Sequence, residues 1–360
     1  MKLHLTKNCL HGFFGISILG LLALSACKSE KPTVATDIVS EVLSDAGTVV
    51  IIPGLNDLMG KAELMDNAIQ ILVATPNESN LIAAQQAWYA ARNSWEVTEA
   101  FLFGPVATLQ LDPAIDDWPV NYIELDSVLA SSAAFTDDYI KGLNTTLKGF
   151  HPIEYMIFGF GGNRKATELT PRMLQYIQAL SKSLKEITKQ MHQEWIAGGG
   201  NYISNLTLAG KNGSIYKSRN QAFLEIVNAM IGIIDEVGEG KIGEPFNAQD
   251  SMLEESPFSG NSWKDFSNNL MGAKNVYTCT YVGTGKSIRN WLDDNNRSLN
   301  QKLTQKFDAC IANLQSYQIR FGKAIYTQPT AIASTQQQLN DLKSILEAEL
   351  IPLINVKVLD

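Results

Sequence analysis

The run LIAAQQAWYAARNSWEVTEAFLF, Leu81 to Phe103, decides the fold class. Its apolar residues Leu81, Ala84, Trp88, Ala91, Trp95, Val97 and Phe101 recur two to four positions apart, which lines one side of a long amphipathic helix. Gly104-Pro105 ends it. The same periodicity runs through residues 38–51, 58–73, 173–196, 222–237, 262–281, 297–321 and 336–354, and alternating runs of strand length are nearly absent. Gly198-Gly199-Gly200 closes the helix through Trp195, and Gly238, Gly240, Gly243 and Pro245 are expected to close the one through Val237. The expected fold is all-α. About 330 residues after loss of a leader exceed what one core usually serves, so two packed four-helix-bundle-like halves are expected, residues 38–209 and 210–360. Asn93-Ser94-Trp95 recurs as Asn261-Ser262-Trp263, a slight sign of duplication. Two longer irregular pieces, 109–122 and 238–261, interrupt the helices, and loops of that length usually carry function or wrap another element. The first holds Asp116-Asp117-Trp118-Pro119, whose Trp implies that the loop packs down.

Residues 1–26 read as a secretory leader: Lys2 and Lys7 precede an apolar core, Gly12 to Leu24, too short for a permanent membrane span. Leu24-Ser25-Ala26-Cys27 resembles the bacterial lipobox, which makes Cys27 the lipidated first residue of the mature chain and 27–37 a polar leash. A lipid-anchored protein of the bacterial cell envelope is expected, with the outer membrane as the leading location. No later apolar stretch approaches the ~20 residues of a transmembrane helix. Without Lys2 and Lys7 the chain carries 27 basic against 37 acidic residues, a net charge of −10, which disfavours nucleic acid as a partner. Cys279 and Cys310 accompany Cys27, and they form either one disulfide or two small buried thiols.

Chemistry that needs imidazole has few options. Of four histidines, His4 and His11 lie in the leader, leaving His151 and His192. In Gly149-Phe150-His151-Pro152-Ile153-Glu154 the proline suits a first helical turn, which places His151 at the N-cap and Glu154 on the same face three residues on. Imidazole and carboxylate can then converge on one metal ion, or they can merely cap the helix and favour its dipole. Arg92, Glu96 and Glu99 share a stripe beside the apolar face of their helix, able to enter a site or to form an ion pair on a solvated flank. Asp116 and Asp117 could be site acids or turn formers. His192 falls on a polar helix face. Neither G-x-S-x-G nor H-E-x-x-H occurs, and one histidine with several carboxylates suits iron, manganese or calcium better than it suits hydrolytic zinc.

Three segments in order, Asn93-Ser94-Trp95-Glu96-Val97-Thr98-Glu99 through Gly104-Pro105, Ile115-Asp116-Asp117-Trp118-Pro119, and Gly149-Phe150-His151-Pro152-Ile153-Glu154 through Gly159, resemble the imelysin-like family. Arg219-Asn220-Gln221-Ala222-Phe223 and Glu255-Ser256-Pro257-Phe258-Ser259 resemble its second-half signatures. The resemblance implies an all-helical protein with the G-x-H-x-x-E motif at a cleft between two bundle-like halves. It implies function for His151 and Glu154, with Glu96, Glu99 and Asp116 converging on them as metal ligands, and Arg92, Trp118, Arg219, Ser256 and Ser259 as further cleft residues.

The family was classed among metallopeptidases from its H-x-x-E, and relatives occur in bacterial iron-uptake systems. The preferred expectation is a lipid-anchored metal-binding protein serving iron acquisition, working with an iron-uptake membrane protein. Iron leads, with zinc, manganese and calcium as alternatives. The rival is a metallopeptidase in which His151 and Glu154 hold a metal-activated water, which one histidine equips poorly. A non-catalytic surface module binding an organic ligand or a haem-like group is the third option, disfavoured by the few histidines.

Overall fold

The computed structural model describes residues 37–359. The leader, Cys27 and nearly all of the 27–37 leash lie outside the described residues. Helix α1, Ile38–Ala74, joins what periodicity divides in two. Pro53 falls in the gap between the two periodic runs, 38–51 and 58–73. A proline has no N–H to donate and crowds the carbonyl four residues back. Here the chain widens into a π-helical turn, Ala46–Ile51, in which Ile52 N–H bonds the Gly47 carbonyl five residues back, and the helix runs on. A wide turn with a proline two residues beyond recurs at Glu236–Gly243 before Pro245 and at Leu346–Leu350 before Pro352.

By length and composition α1 could cross a membrane, but its apolar face is core: Leu55, Leu58, Ala62, Met65, Ile69 and Leu72 are buried. Each of its large aliphatic side chains contributes about 1.5–3 kcal/mol through burial. Against α1 pack α2, Glu78–Thr98, capped by the Asn77 side chain, and, further along the chain, the helix Pro171–Trp195. The short α3, Phe150–Phe158, lies between α2 and α4, Pro171–Trp195. Next come α5, Arg219–Asp235, and α6, Ser262–Thr278, followed by α7, Arg297–Gln315, and α8, Pro329–Ile345. No strand occurs among the described residues; Thr280 and Thr284 form a lone bridge. The protein is all-α.

The glycines expected to stop the helix after Val237 do not stop it. The wide turn Glu236–Gly243 carries it on to Ala248, so much of the expected loop 238–261 is helical. Cys279 and Cys310 are free and buried, and burial pushes their thiols up to about 12 and about 11.

One contact positions the site. Helix α6 packs along α2 with Gly272 against Val97, where a Cβ would fall 2.2 Å from the carbonyl oxygen. That close approach sets Asp265 and Asn269 beside Arg92 and Glu96.

Candidate metal centre

The helix carrying His151 starts two residues earlier than Pro152 suggests. Gly149, at φ 88°, is the N-cap, and His151 and Pro152 lie inside the first turn. Only glycine fits: a Cβ there would fall 2.1 Å from the Ile115 carbonyl oxygen, which accepts the Phe150 N–H at 2.7 Å. Because this external acceptor serves the helix start and Pro152 has no N–H to lose, the turn closes without an Asx or Ser cap. The same contact pins Ile115, and with it Asp116, against His151.

Asp116 ties the elements together. Its Oδ1 accepts from Arg92 and lies 3.1 Å from His151 Nε2, off the hydrogen-bond direction, while Oδ2 accepts the Trp95 indole N–H at 2.5 Å. His151 Nδ1 lies 3.5 Å from Glu154 Oε2, and Glu154 Oε1 accepts both the backbone N–H and the hydroxyl of Ser259, at 2.7 and 2.6 Å. On the other side, the Arg92 guanidinium reaches Glu96 at 2.5 Å and Glu255 at 2.7 Å. The Lys241 ammonium, from the wide turn after α5, lies 2.7 Å from Glu255, 2.8 Å from Glu99 and 3.4 Å from Glu96. Asn269 donates to Glu96 at 2.8 Å and Glu99 at 2.5 Å. Asp265 accepts from Ser256 at 2.6 Å and Asn261 at 2.5 Å. Half-buried Trp118 roofs the group: its ring lies 5.6 Å from Lys241 Nζ and 6.2 Å from the imidazole.

All of these polar residues except Trp118 are buried. Of the two readings open for the α2 stripe, entry into a site is the one the structure shows, and the Arg92–Glu96 pair is a buried one. Glu96, Glu99, Asp116 and Glu255 each offer a ligand oxygen within 4.8 Å of the others. His151 and Glu154 adjoin this quartet through Asp116 without belonging to it. Arg219 lies elsewhere, at the start of α5, where it bonds Asp37 and the Leu359 carbonyl; the expected gathering of Arg219 into the cleft does not occur. Asp117 bonds Thr145 instead of joining the quartet. The site draws on both sides of the expected boundary at 209/210.

Six carboxylates face Arg92, Lys241 and one imidazole, and their titration reflects it. Burial holds the Glu96 and Asp265 carboxyls well above the usual range, and lifts Glu99 to about 8 against the pull of Lys241. Burial also lifts Asp112 to about 7 and raises Glu236, at the edge of the site. For Asp116 burial is overturned, chiefly by Arg92 and then by His151, so its carboxyl stays below the ordinary range. Burial and Arg92 oppose charge on His151, but Asp116 and Glu154 prevail and raise it to about 9. The cluster thus holds protons where a metal would bring charge. Two buried polar atoms also lack hydrogen-bond partners, Glu255 Oε2 and Asn269 Oδ1. Buried orphans of this kind mark a place for an ion or water. The oxygen-rich donor set fits a hard or borderline cation.

Lys241, Glu255, Asp265 and Asn269 are participants that the motif reading did not single out. For α6 a signal existed: Asn261, Asp265 and Asn269 recur every four residues, a polar stripe matching that of Arg92 and Glu96.

An all-helical protein whose central helices bury a carboxylate quartet is the class that the fold and site define. The imelysin family model, Peptidase_M75, matches residues 51–348, and the chain belongs to the imelysin family. It is 29% identical over 348 residues to iron-regulated protein A of Synechococcus elongatus, covering 94% of this chain and 93% of that protein. A crystal structure from Parabacteroides distasonis, described as that of an iron-regulated protein A precursor, superimposes with a TM-score of 0.79 at 25% identity, over 92% of this chain and 97% of the other. An imelysin-like protein from Psychrobacter arcticum shares the fold, with a TM-score of 0.72 at 14% identity over 90% and 97% of the two chains.

Proposed function

We propose that this chain binds a polyvalent metal ion, iron foremost, at Glu96, Glu99, Asp116 and Glu255, and serves iron acquisition from a lipid anchor at Cys27 in the bacterial envelope. The observation that carries the proposal is the buried quartet itself, with oxygens within 4.8 Å and atoms left unpartnered. The names of the relatives support iron, and the Leu24-Ser25-Ala26-Cys27 run supports the anchor. A bound ion would supply the charge that six crowded carboxylates lack; this chain's own residues orient it. Arg92 and His151 hold Asp116 in place, Asn269 and Asn261 align the carboxylates, and Trp118 excludes water. Peptide hydrolysis fits less well, since His151 and Glu154 are 1% and 0% exposed and a peptide carbonyl would have to reach them through packed side chains.

The test is titration of the mature protein with Fe(II), Fe(III) and Mn(II), alongside Glu255→Gln. One ion per chain at micromolar concentration, lost in the variant, is the expected outcome. Absence of uptake at those concentrations overturns the proposal.

A further inference from the structure

We propose that the Lys241 ammonium occupies the metal's own position, so that loading is the exchange of a tethered monovalent cation for a polyvalent one. This rests on the metal-binding reading above. Nζ lies 2.7, 2.8 and 3.4 Å from oxygens of Glu255, Glu99 and Glu96, three of the four residues of the quartet. An ammonium has three hydrogens to give, and here they leave Glu255 Oε2 and Asn269 Oδ1, both more than nine-tenths buried, without partners. A metal ion that takes about six or more oxygen ligands would use them.

The exchange sets selectivity by charge. Sodium or potassium brings no more charge than the ammonium it displaces and lacks the tether that holds Lys241 at high local concentration, so it is rejected. A divalent or trivalent ion adds charge among carboxylates that have too little. The displaced side chain has somewhere to go. Glu236 and Lys241 are five residues apart on the wide turn Glu236–Gly243, the repeat of i→i+5 bonding, so they share one face of it. Glu236 lines a cavity of about 280 Å³ with Glu99, Asp112 and Glu225, next to the quartet through Glu99. There the leaving ammonium finds new carboxylates and the incoming ion finds a route.

The test uses Mn(II), read by the loss of its free electron paramagnetic resonance signal, and thermal unfolding with and without chelator. Lys241→Met, which keeps length and removes charge, is expected to bind Mn(II) at least tenfold more tightly than wild type. It should melt lower than wild type in chelator and recover on adding Mn(II), whereas a lysine that merely supports the fold would give no such rescue. Lys241→Arg, which keeps the charge and enlarges the head group, is expected to bind at least tenfold more weakly. Should Lys241→Met fail to fold in chelator, refolding in Mn(II) supports exchange, and failure in Mn(II) as well overturns it. Wild-type binding with unchanged or weaker affinity in Lys241→Met, or unchanged affinity in Lys241→Arg, overturns the exchange and leaves the metal site standing. Absence of binding in all three proteins overturns the metal site itself.

Discussion

The two ends of the buried cluster are built differently. At the His151 end, Glu154 Oε1 takes two donors, both from Ser259, and each oxygen of Asp116 takes one, from Arg92 and from Trp95, with the imidazole 3.1 Å away. At the Lys241 end, Glu96, Glu99 and Glu255 share two cations and an amide, and oxygens go unpartnered. A satisfied carboxylate is a structural clamp; an unsatisfied one in a crowd of its own kind is a receptor. The motif histidine and glutamate thus read as the clamp that holds Asp116, while the ion's place lies between Asp116 and the carboxylates of Glu96, Glu99 and Glu255.

The largest effect should come from the joint between loop and clamp. Gly149→Val forces a Cβ into the Ile115 carbonyl at a φ that valine avoids, and should cost about 3 kcal/mol or more in urea unfolding while abolishing metal uptake. A cost below about 1 kcal/mol would break the claim that this contact sets Asp116. Next, the two ends should separate by affinity. Glu255→Ala should weaken Mn(II) binding at least 100-fold, about 2.7 kcal/mol, whereas Ser259→Ala should leave it within about threefold. Equal losses would mean that the clamp is itself the receptor. Ser259→Ala should instead show in stability, losing about 1–3 kcal/mol by stripping a buried carboxylate oxygen of a donor.

The pH effect is gentler and has a definite sign. His151 sits at about 9 against an ordinary 6.5, and Glu99 at about 8 against 4.5, so both bind more protons folded than unfolded. Their contribution is full below the unfolded values and is lost as pH rises through the folded ones. Metal-free protein should therefore lose stability between pH 6.5 and 9, as read by urea midpoints in chelator. Mn(II), which replaces those protons, should bind more tightly over the same range and release protons measurable by calorimetry in buffers of different ionisation enthalpy. Stability that is flat or rises with pH would contradict the protonated cluster.

Much of this was legible in the chain. The 3.6-residue pattern of Leu81 to Phe103 gives α2 and its buried face, and Arg92, Glu96, Asp116, His151 and Glu154 do come together. What was hidden follows from the wide turns. A Glu-Val-Gly-Glu-Gly-Lys-Ile-Gly run reads as a helix end closed by its glycines, because α-helical spacing gives no hint of i→i+5 bonding. In the structure that turn continues the helix and carries Lys241 inward. Periodicity likewise divides α1 between residues 51 and 58, where the π turn before Pro53 keeps it whole. Arg219 was a motif residue whose place depends on how α5 meets both chain ends, a long-range contact that no local pattern encodes.

The most direct test of the central claim is to locate the ion. Anomalous diffraction from crystals grown with Mn(II) or Fe(II) should show one peak among Glu96, Glu99, Asp116 and Glu255, with the Lys241 ammonium moved off their oxygens. A peak between His151 and Glu154, with Lys241 still bound to Glu99 and Glu255, would contradict it.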